Sequence, residues 1–460
     1  MSPASPLDLA AWRIRLDHGE PTHPKRASIE QANSSLQSHR AFISVAPGTR
    51  EEAASGPLAG IPFAVKDNIY TVDLPTTGGC RALASWHANI DAPVVAALRE
   101  AGAWVVGKTN LHELALGVTS NNAAYGAVRN PIDSTRSAGG SSGGSAVAVA
   151  LGVVPFALGT DTGGSMTIPA AACGVVGYRP SARRYSPDGV IHISQTRDEI
   201  GVFANTVHDV QVIDGILRRE SVPTNPAGVT RLGVPDRYFY DLDDQTELAV
   251  ARALETLRSQ DVELHPVSID DVVDGAHEHG FSIVGVEALA DLDAFLGSAG
   301  SGLGLDLDTL VSRILSPDVR LLLTALLENP ISEQTYRRAL AERARLRARM
   351  SELFVRERLD ALVYPTTPVL PPLLGEDVVR SPRGDLAVFP TLTRHTEAGS
   401  VIGAPSISIP VAAPGEPAVG LTLEGAPDAD IALLHLAAEV SHLLEPSRRP
   451  SPLSSERVRP

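Results

Sequence analysis

The chain has 460 residues, 43% of them hydrophobic and 20% charged, which is typical of a globular protein with a substantial core. With 39 Lys and Arg residues against 54 Asp and Glu residues, the net charge of −15 disfavours nucleic acid and anionic membranes as partners. The longest apolar stretch, residues 146–159, contains Gly152 and Pro155 and is shorter than the roughly 20 residues that span a bilayer. Because the N-terminus also lacks a secretory-signal pattern, we expect a cytoplasmic protein without a membrane segment.

Residues that form disulfides or bind metals are few or scattered. Cys80 and Cys173 are the only cysteines, too few for a disulfide framework or a thiolate cluster. The 13 histidines show no metal-ligand spacing. We therefore expect neither a metal nor a cofactor.

The first predicted elements are helices. Apolar residues recur at helical spacing in residues 7–16, and the glycine-poor stretch 27–42 continues the pattern. Residues 1–55 are therefore predicted to form an N-terminal helical segment.

From Pro62 onward, short strand patterns alternate with helical patterns. The predicted strands are 63–65, 103–106 and 153–158, and the predicted helices are 93–102 and 145–152. This alternation is typical of an α/β protein whose sheet is covered by helices.

Residues 210–355 are predicted to be a mostly helical, variable region on the substrate side, followed by a return to the sheet. The later strand patterns are 359–365, 405–411 and 419–423, and a helix over 430–444 closes the main domain, residues 56–445. Residues 446–460 are rich in Pro, Ser and Arg and are predicted to be a disordered tail.

One motif formally matches a phosphate-binding loop. Residues 102–109 satisfy the pattern GxxxxGK[ST], but a phosphate cradle needs small residues in a flexible loop after the strand. Here the four variable positions, Ala103 to Val106, are bulky and apolar and themselves predict the strand. We interpret the motif as a buried strand followed by a turn at Gly107.

A second motif, residues 140–144, satisfies GxSxG and would make Ser142 a nucleophile served by a downstream histidine. Candidates for that histidine are His192, His208 and His395. A nucleophile elbow must follow a strand directly, whereas the preceding residues 129–138 are polar and rich in turn formers. The glycines then form a tight loop ahead of a helix.

A third interpretation uses two glycine-flanked serine clusters, residues 139–145 and 161–165, with Lys66 in the upstream run 60–68. These motifs, with the run 168–177, resemble the amidase signature family. Further matching motifs are 107–110, 127–131, 364–368 and 403–410, so the resemblance covers about residues 55–445. It implies the fold of that family, a central mixed twisted sheet covered by helices on both faces.

The resemblance also implies a catalytic trio. Ser165 would be the nucleophile, Ser141 a bridging serine beside a cis peptide bond, and Lys66 the base that finally accepts the proton. A serine hydroxyl needs a neighbouring base to attack an amide. Because lysine ordinarily titrates near 10.4, Lys66 would have to be buried to become neutral, and the adjoining apolar residues 63–65 agree with burial.

The same resemblance implies an oxyanion hole for the charged intermediate. Its donors would be the backbone N–H groups of Thr162, Gly163 and Gly164. Three further residues are expected to support the site, with Asp161 ordering the loop: Ser142, Asp161 and Gly140.

Residues 184–198 and 394–400 are similar to the branch containing indoleacetamide and mandelamide hydrolases. The resemblance therefore implies a small aryl-acetamide-type primary amide as the substrate, cleaved to acid and ammonia or amine. We expect the pocket walls to come from residues 120–125, residues 190–200 and the helical middle.

Several positions depart from the family pattern: Thr167 and Asn205 replace arginines, Val202 a proline and Arg183 a glycine. These departures leave open an enzyme of a biosynthetic pathway that passes the acyl group to an amine, or that cleaves an ester. A subunit of a transamidating complex is another alternative. A homodimer is possible, and the partner we expect otherwise is the small-molecule amide.

Overall fold

The computed structural model describes residues 8–17, 24–48, 55–220, 228, 230–299 and 303–445. The described strands are β1 (Phe42–Val45), β2 (Pro62–Lys66), β3 (Trp104–Thr109), β4 (Phe156–Asp161), β5 (Val176–Arg179), β6 (Glu199–Ala204), β7 (Arg231–Pro235), β8 (Glu263–Val267), β9 (Ala361–Pro365), β10 (Val378–Ser381), β11 (Gly384–Ala387), β12 (Ser406–Pro410) and β13 (Gly420–Glu424).

The described α-helices surround these strands. They are α1 (Leu9–Asp17), α2 (Pro24–Ser38), α3 (Pro93–Glu100), α4 (Gly143–Ala150), α5 (Thr167–Cys173), α6 (Val207–Arg218), α7 (Asp244–Ser259), α8 (Asp270–Ala299), α9 (Leu307–Arg313), α10 (Pro317–Glu328), α11 (Glu333–Glu357), α12 (Val388–Thr393), α13 (Glu397–Ile402) and α14 (Asp430–Leu444).

A single large mixed sheet organises the fold. In the described part of the chain it has eleven strands in the order β1–β3–β2–β4–β6–β5–β12–β13–β9–β7–β8, and β10 and β11 form a separate hairpin. The pairs β3–β2, β2–β4, β9–β7 and β7–β8 are parallel, and the other neighbours are antiparallel. The connections between parallel strands carry helices, as such crossovers require.

Alternate side chains of the central strands enter two different cores. Phe63 and Val65 of β2 pack on one face with residues of α3, α6 and α14. Ala64 packs on the other face with residues of α2, α4 and α5. The predicted α/β class, a mixed sheet covered by helices on both faces, is confirmed.

The structure corrects two local expectations in the first 110 residues. The helix expected over residues 27–42 ends at Ser38, and β1 follows it and pairs with β3. The turn expected at Gly107 is also wrong, because β3 continues to Thr109. Residues 104–109 are therefore a buried strand, which is incompatible with a phosphate-binding loop.

The middle of the chain is mostly helical as predicted, but it also contributes β7 and β8 to one edge of the sheet. No described helix combines the length and the apolar character needed to cross a membrane. The division into residues 1–55, 56–445 and 446–460 stays a prediction, and the last segment lies outside the described residues.

Candidate active site

The candidate site lies where two parallel strands end. Lys66 is the last residue of β2 and Asp161 the last residue of β4, and the parallel register brings these carboxyl ends together. Lys66 Nζ lies 2.8 Å from Ser141 Oγ and 2.7 Å from Thr160 Oγ1, with the Thr160 carbonyl oxygen at 3.3 Å. The structure thus brings Lys66 and Ser141, 75 residues apart in sequence, into direct hydrogen-bond contact.

Lys66 is completely buried. Burial lowers the pKa of Lys66 from 10.5 to about 7, although the carboxylates of Asp161 and Asp198 act in the opposite direction. No carboxylate of the described residues lies within ion-pair distance of Nζ. A large fraction of Lys66 is therefore neutral near pH 7 and able to accept a proton.

Ser141 is held mainly through its backbone. The Gly140–Ser141 peptide bond is cis, and the Ser141 carbonyl oxygen accepts hydrogen bonds from His112 N and Ser120 Oγ. A Cβ atom at Gly140 would lie 2.7 Å from Ser120 N, so glycine is required there for the close approach. This backbone frame leaves the Ser141 hydroxyl to Lys66.

Ser165 lies on the loop between β4 and α5 and lines a cavity of about 540 Å³. It is 7% exposed, and its hydroxyl has no hydrogen-bond partner among the described residues, Ser141 included. Asp161 orders the loop: its carboxylate accepts hydrogen bonds from Gly164 N (2.9 Å), Met166 N (2.7 Å) and Ser400 Oγ (2.9 Å).

The predicted oxyanion donors differ in availability. Gly164 N donates to Asp161, so this N–H is already used within the loop. The N–H groups of Thr162, Gly163 and Ser165 have no acceptor in the described part of the chain. The free amides near the cavity are thus Thr162 and Gly163 from the predicted set, with that of Ser165, which the sequence interpretation missed.

Besides Asp161, a second carboxylate holds the loop that carries Ser165. The carboxylate of Asp198 accepts hydrogen bonds from the Thr162 hydroxyl at 2.5 Å and from His192 Nδ1 at 3.0 Å. Gly164 has a φ of +121°, and a Cβ atom there would collide with Thr396. The loop geometry therefore depends on the glycine as well as on the carboxylates.

Ser142 does not have the environment of a nucleophile. It is buried, and its hydroxyl donates to the Thr160 carbonyl oxygen at 3.0 Å. His192 instead binds Asp198 and the Pro187 carbonyl oxygen, and His208 is exposed on α6. Burial lowers the pKa of His395 to about 3, so this residue is neutral and bound to a backbone carbonyl. The elbow interpretation is therefore not supported.

The cavity walls are mostly apolar and come from several elements. The expected contribution of residues 190–200 and of the helical middle is present, through residues such as Ile193, Phe281 and Leu322. Residues 120–125 do not line the cavity, and that expectation is wrong. Residues 112 and 115–119 line the cavity instead. The outer wall is formed by residues 377, 387–390, 393 and 397.

Two polar residues of the site were not singled out from the sequence. Thr160 anchors Lys66, and Arg197 lines the cavity. Thr160 directly precedes the recognised run 161–165, and Arg197 lies within the run 184–198, but only the three-dimensional contacts show what they touch. Within the described ranges, no group of three or more His, Cys, Asp or Glu side chains could hold a metal ion.

Comparison of the sequence with known protein families identifies the family of this chain. A family model described as Amidase matches residues 29–434, which is most of the chain. The chain belongs to the amidase signature family.

Two curated relatives of this amidase match most of its length. An indoleacetamide hydrolase of Pseudomonas syringae pv. syringae is 37% identical over 402 residues, 86% of this chain and 88% of the relative. A mandelamide hydrolase of Pseudomonas putida is 36% identical over 419 residues, 87% and 81% of the two chains. A crystal structure of an amidase is 34% identical with a TM-score of 0.82, covering 95% of this chain and 99% of that one. The protein is therefore an amidohydrolase that acts on carbon–nitrogen amide bonds.

The structure shows the conformation or contacts of two residues that depart from the amidase pattern, Arg183 and Thr167. Arg183, where the family usually has glycine, adopts a φ of +62°, a conformation that favours glycine. Its N–H donates to the Glu199 carboxylate, which holds the residue in that conformation. Thr167 is buried, with its hydroxyl 3.4 Å from the Gly164 carbonyl oxygen.

Proposed function

We propose that this amidase hydrolyses a small aryl-acetamide-type primary amide through an acyl-enzyme on Ser165, with Ser141 and Lys66 completing a Ser-cisSer-Lys triad. The observation that carries the proposal is the buried contact between Lys66 Nζ and Ser141 Oγ at 2.8 Å. Because the pKa of Lys66 is lowered to about 7, this amine can act as a base where an exposed lysine could not.

The proton moves in two steps in this mechanism. Ser165 Oγ attacks the amide carbon and passes its proton to Ser141, while Ser141 passes its own proton to Lys66. Lys66 then returns its proton to Ser141, and Ser141 protonates the departing nitrogen, so the carbon–nitrogen bond breaks, ammonia leaves and an ester to Ser165 remains. Water then attacks this ester, is deprotonated along the same path, and releases the acid.

The negative charge on the intermediate requires donors aimed at the carbonyl oxygen. We assign this role to the backbone N–H groups of Thr162 and Gly163, aided by that of Ser165, because these amides are free beside the cavity. Losing one such donor typically costs about 3 kcal/mol of transition-state stabilisation. The Gly164 amide instead keeps the loop in shape through Asp161.

The substrate class rests on the cavity and on the relatives. A cavity of about 540 Å³ with mostly apolar walls suits one or two aromatic rings. The names of the relatives, indoleacetamide hydrolase and mandelamide hydrolase, describe amides that carry an aromatic group near the amide carbon. Aromatic acetamides are therefore the first substrates to test.

Labelling with a fluorophosphonate probe, followed by peptide mapping, tests the nucleophile. We expect modification of Ser165, loss of labelling in Ser165→Ala, and retained labelling in the matched control Ser142→Ala if that variant keeps its fold. Modification of Ser142 in the wild-type protein would contradict the proposal.

Ammonia release by the purified chain alone tests the substrate class and the need for a partner. We expect turnover of 2-phenylacetamide and indole-3-acetamide, with a kcat/KM at least about tenfold above that of acetamide because the ring fills the apolar cavity. Activity that appears only with a second protein chain would favour the transamidating-complex alternative.

A further inference from the structure

Arg197 is a buried cation in the wall of the substrate cavity. Its side chain is 5% exposed, and one terminal nitrogen, Nη1, donates to the Gly280 carbonyl oxygen at 2.9 Å. Nε is buried and has no hydrogen-bond partner, and Nη2 has none among the residues that the structure describes. The guanidinium of Arg197 is thus held at the cavity while most of its N–H groups donate no hydrogen bond to the described residues.

One of the unused donors, Nη2, lies next to the predicted oxyanion loop. A Cβ atom built on Gly163 would have Nη2 of Arg197 as its nearest neighbour, at 3.9 Å, so the guanidinium faces the space in front of Gly163. Buried polar groups are nearly always hydrogen-bonded, and an unpaired one costs free energy. An acceptor on a bound substrate would remove that cost.

The charges around Arg197 indicate which kind of acceptor fits. Burial lowers the pKa of Arg197, while Glu397, Asp161 and Asp198 oppose that shift, so its positive charge already faces several carboxylates. None of these forms an ion pair with it within 4.0 Å in the described chain, and Glu397 instead contacts His277 at 3.3 Å.

The few charged side chains in the mostly apolar cavity wall are mainly acidic. The carboxylates of Asp318, Asp377 and Glu397 line the cavity together with the guanidinium of Arg197. A carboxylate entering this cavity would meet repulsion from these three side chains. An uncharged oxygen can accept from the guanidinium without that repulsion.

We propose that Arg197 is a specificity-determining residue that donates a hydrogen bond to an uncharged oxygen, a hydroxyl or carbonyl, on the carbon next to the scissile carbonyl. This inference rests on the proposed function, in which Gly163 N holds the carbonyl oxygen. The substituents of the neighbouring carbon then lie one bond further out, in the space that Nη2 faces. The preferred substrates are accordingly 2-hydroxy or 2-oxo arylacetamides.

The test compares two amides in two proteins. We measure kcat/KM for 2-hydroxy-2-phenylacetamide and for 2-phenylacetamide with the wild-type protein and with Arg197→Leu. Hydrogen bonds to charged groups predict that the preference for the hydroxy amide is roughly tenfold to a hundredfold larger in the wild-type protein than in the variant. The ratio between proteins cancels the effect of the hydroxyl on intrinsic reactivity.

Arg343→Met is the matched control. Arg343 is a half-buried arginine that also donates to backbone carbonyls, those of Val401 and Thr196, but it does not line the cavity. The control should keep the wild-type preference. If Arg197→Leu does not fold, Arg197→Gln, which retains an N–H donor, should show a reduced preference.

The outcomes separate this inference from the proposed function. If the wild-type protein hydrolyses neither amide, the substrate class is wrong and the role of Arg197 falls with it. If it hydrolyses both without preference, or if the preference survives in Arg197→Leu, only the role of Arg197 is wrong. Faster turnover of the 2-carboxy analogue than of the hydroxy amide would also overturn the assignment to an uncharged oxygen.

Discussion

Lys66 and Lys108 occupy adjacent strands of the same sheet and are both fully buried, yet their surroundings differ. Each places Nζ 2.7 Å from a threonine hydroxyl, Thr160 for Lys66 and Thr76 for Lys108. Lys108 also lies 3.4 Å from the carboxylate of Asp67, whereas Lys66 contacts the hydroxyl of Ser141.

The register of β2 and β3 separates the two lysines. Val65 pairs with Lys108 and Lys66 pairs with Thr109, so the two side chains point to opposite faces of the sheet. Burial lowers the pKa of both lysines, but Asp67 opposes the shift for Lys108 at short range. Removing a buried lysine that is paired with a carboxylate leaves an uncompensated buried charge, whereas a buried lysine that contacts only hydroxyl and carbonyl oxygens can accept a proton.

Removing Lys66 gives the largest expected effect on activity. Lys66→Met keeps an unbranched side chain in the buried site but lacks the amine, so we expect kcat/KM for the amide to fall at least about a thousandfold. Steady-state kinetics on folded protein measures it, with Lys108→Met as the control that keeps most of its activity per folded molecule. Activity of Lys66→Met within about tenfold of wild type would contradict the proposed base.

Removing Lys108 should affect stability instead. Lys108→Met leaves the buried Asp67 carboxylate without its cation, so we expect the free energy of unfolding to fall by about 3–5 kcal/mol. Urea denaturation measures the loss, and adding Asp67→Asn should recover part of it. An unchanged denaturation midpoint would show that the pair does not stabilise the fold.

The pH dependence of the rate tests the role assigned to Lys66. Since the amine of Lys66 must be neutral, kcat/KM should rise about tenfold for each pH unit below about 7 and then level off. The free energy of unfolding should also rise with pH over part of this range. Unfolding restores the ordinary pKa of 10.5, so the unfolded chain binds more protons between these values, and the contribution of Lys66 to the free energy of unfolding rises with pH there. A rate that stays flat from about pH 5 to about pH 9 would exclude Lys66 as the base.

The two threonines give the smallest expected effects. Thr160→Val removes the hydroxyl that holds Lys66 Nζ, and we expect kcat/KM to fall about two- to tenfold. Thr76→Val removes the equivalent contact of Lys108 and should lower the free energy of unfolding by about 1 kcal/mol with little change in kcat/KM. Equal effects of the two changes on kcat/KM would remove the distinction between the sites.

Much of the sheet could be predicted from local patterns. The buried strand β2, the helix α3 with Pro93 at its start and the closing helix α14 lie where the sequence predicts them. β1 was missed because the helical spacing of apolar residues continues as far as Phe42. β7 and β8 were missed because each is short, contains a proline and lies in a mostly helical region of the chain. These segments take their strand conformation by pairing in the sheet, β1 with β3, β7 with β9 and β8 with β7.

The candidate site was predictable where a motif holds several functional residues together. Lys66, Ser141 and Ser165 lie in such runs, and the structure places the first two in contact and the third on the cavity. Arg197 and Glu397 reach the cavity from separate elements, and the use of the Gly164 amide by Asp161 depends on loop geometry. No local pattern in one sequence specifies such contacts.

The outer wall of the cavity comes mainly from helix α12, with Asp377 and Ala387 at the two ends of the hairpin β10–β11, which lies apart from the large sheet. Phe389, on this segment, is 57% exposed, so its replacement would disturb little of the interior. The proposed catalytic residues Lys66, Ser141 and Ser165, by contrast, lie on central strands and the loops that follow them. Substitutions in this peripheral segment can therefore alter which amides the enzyme accepts while the proposed catalytic residues stay in place.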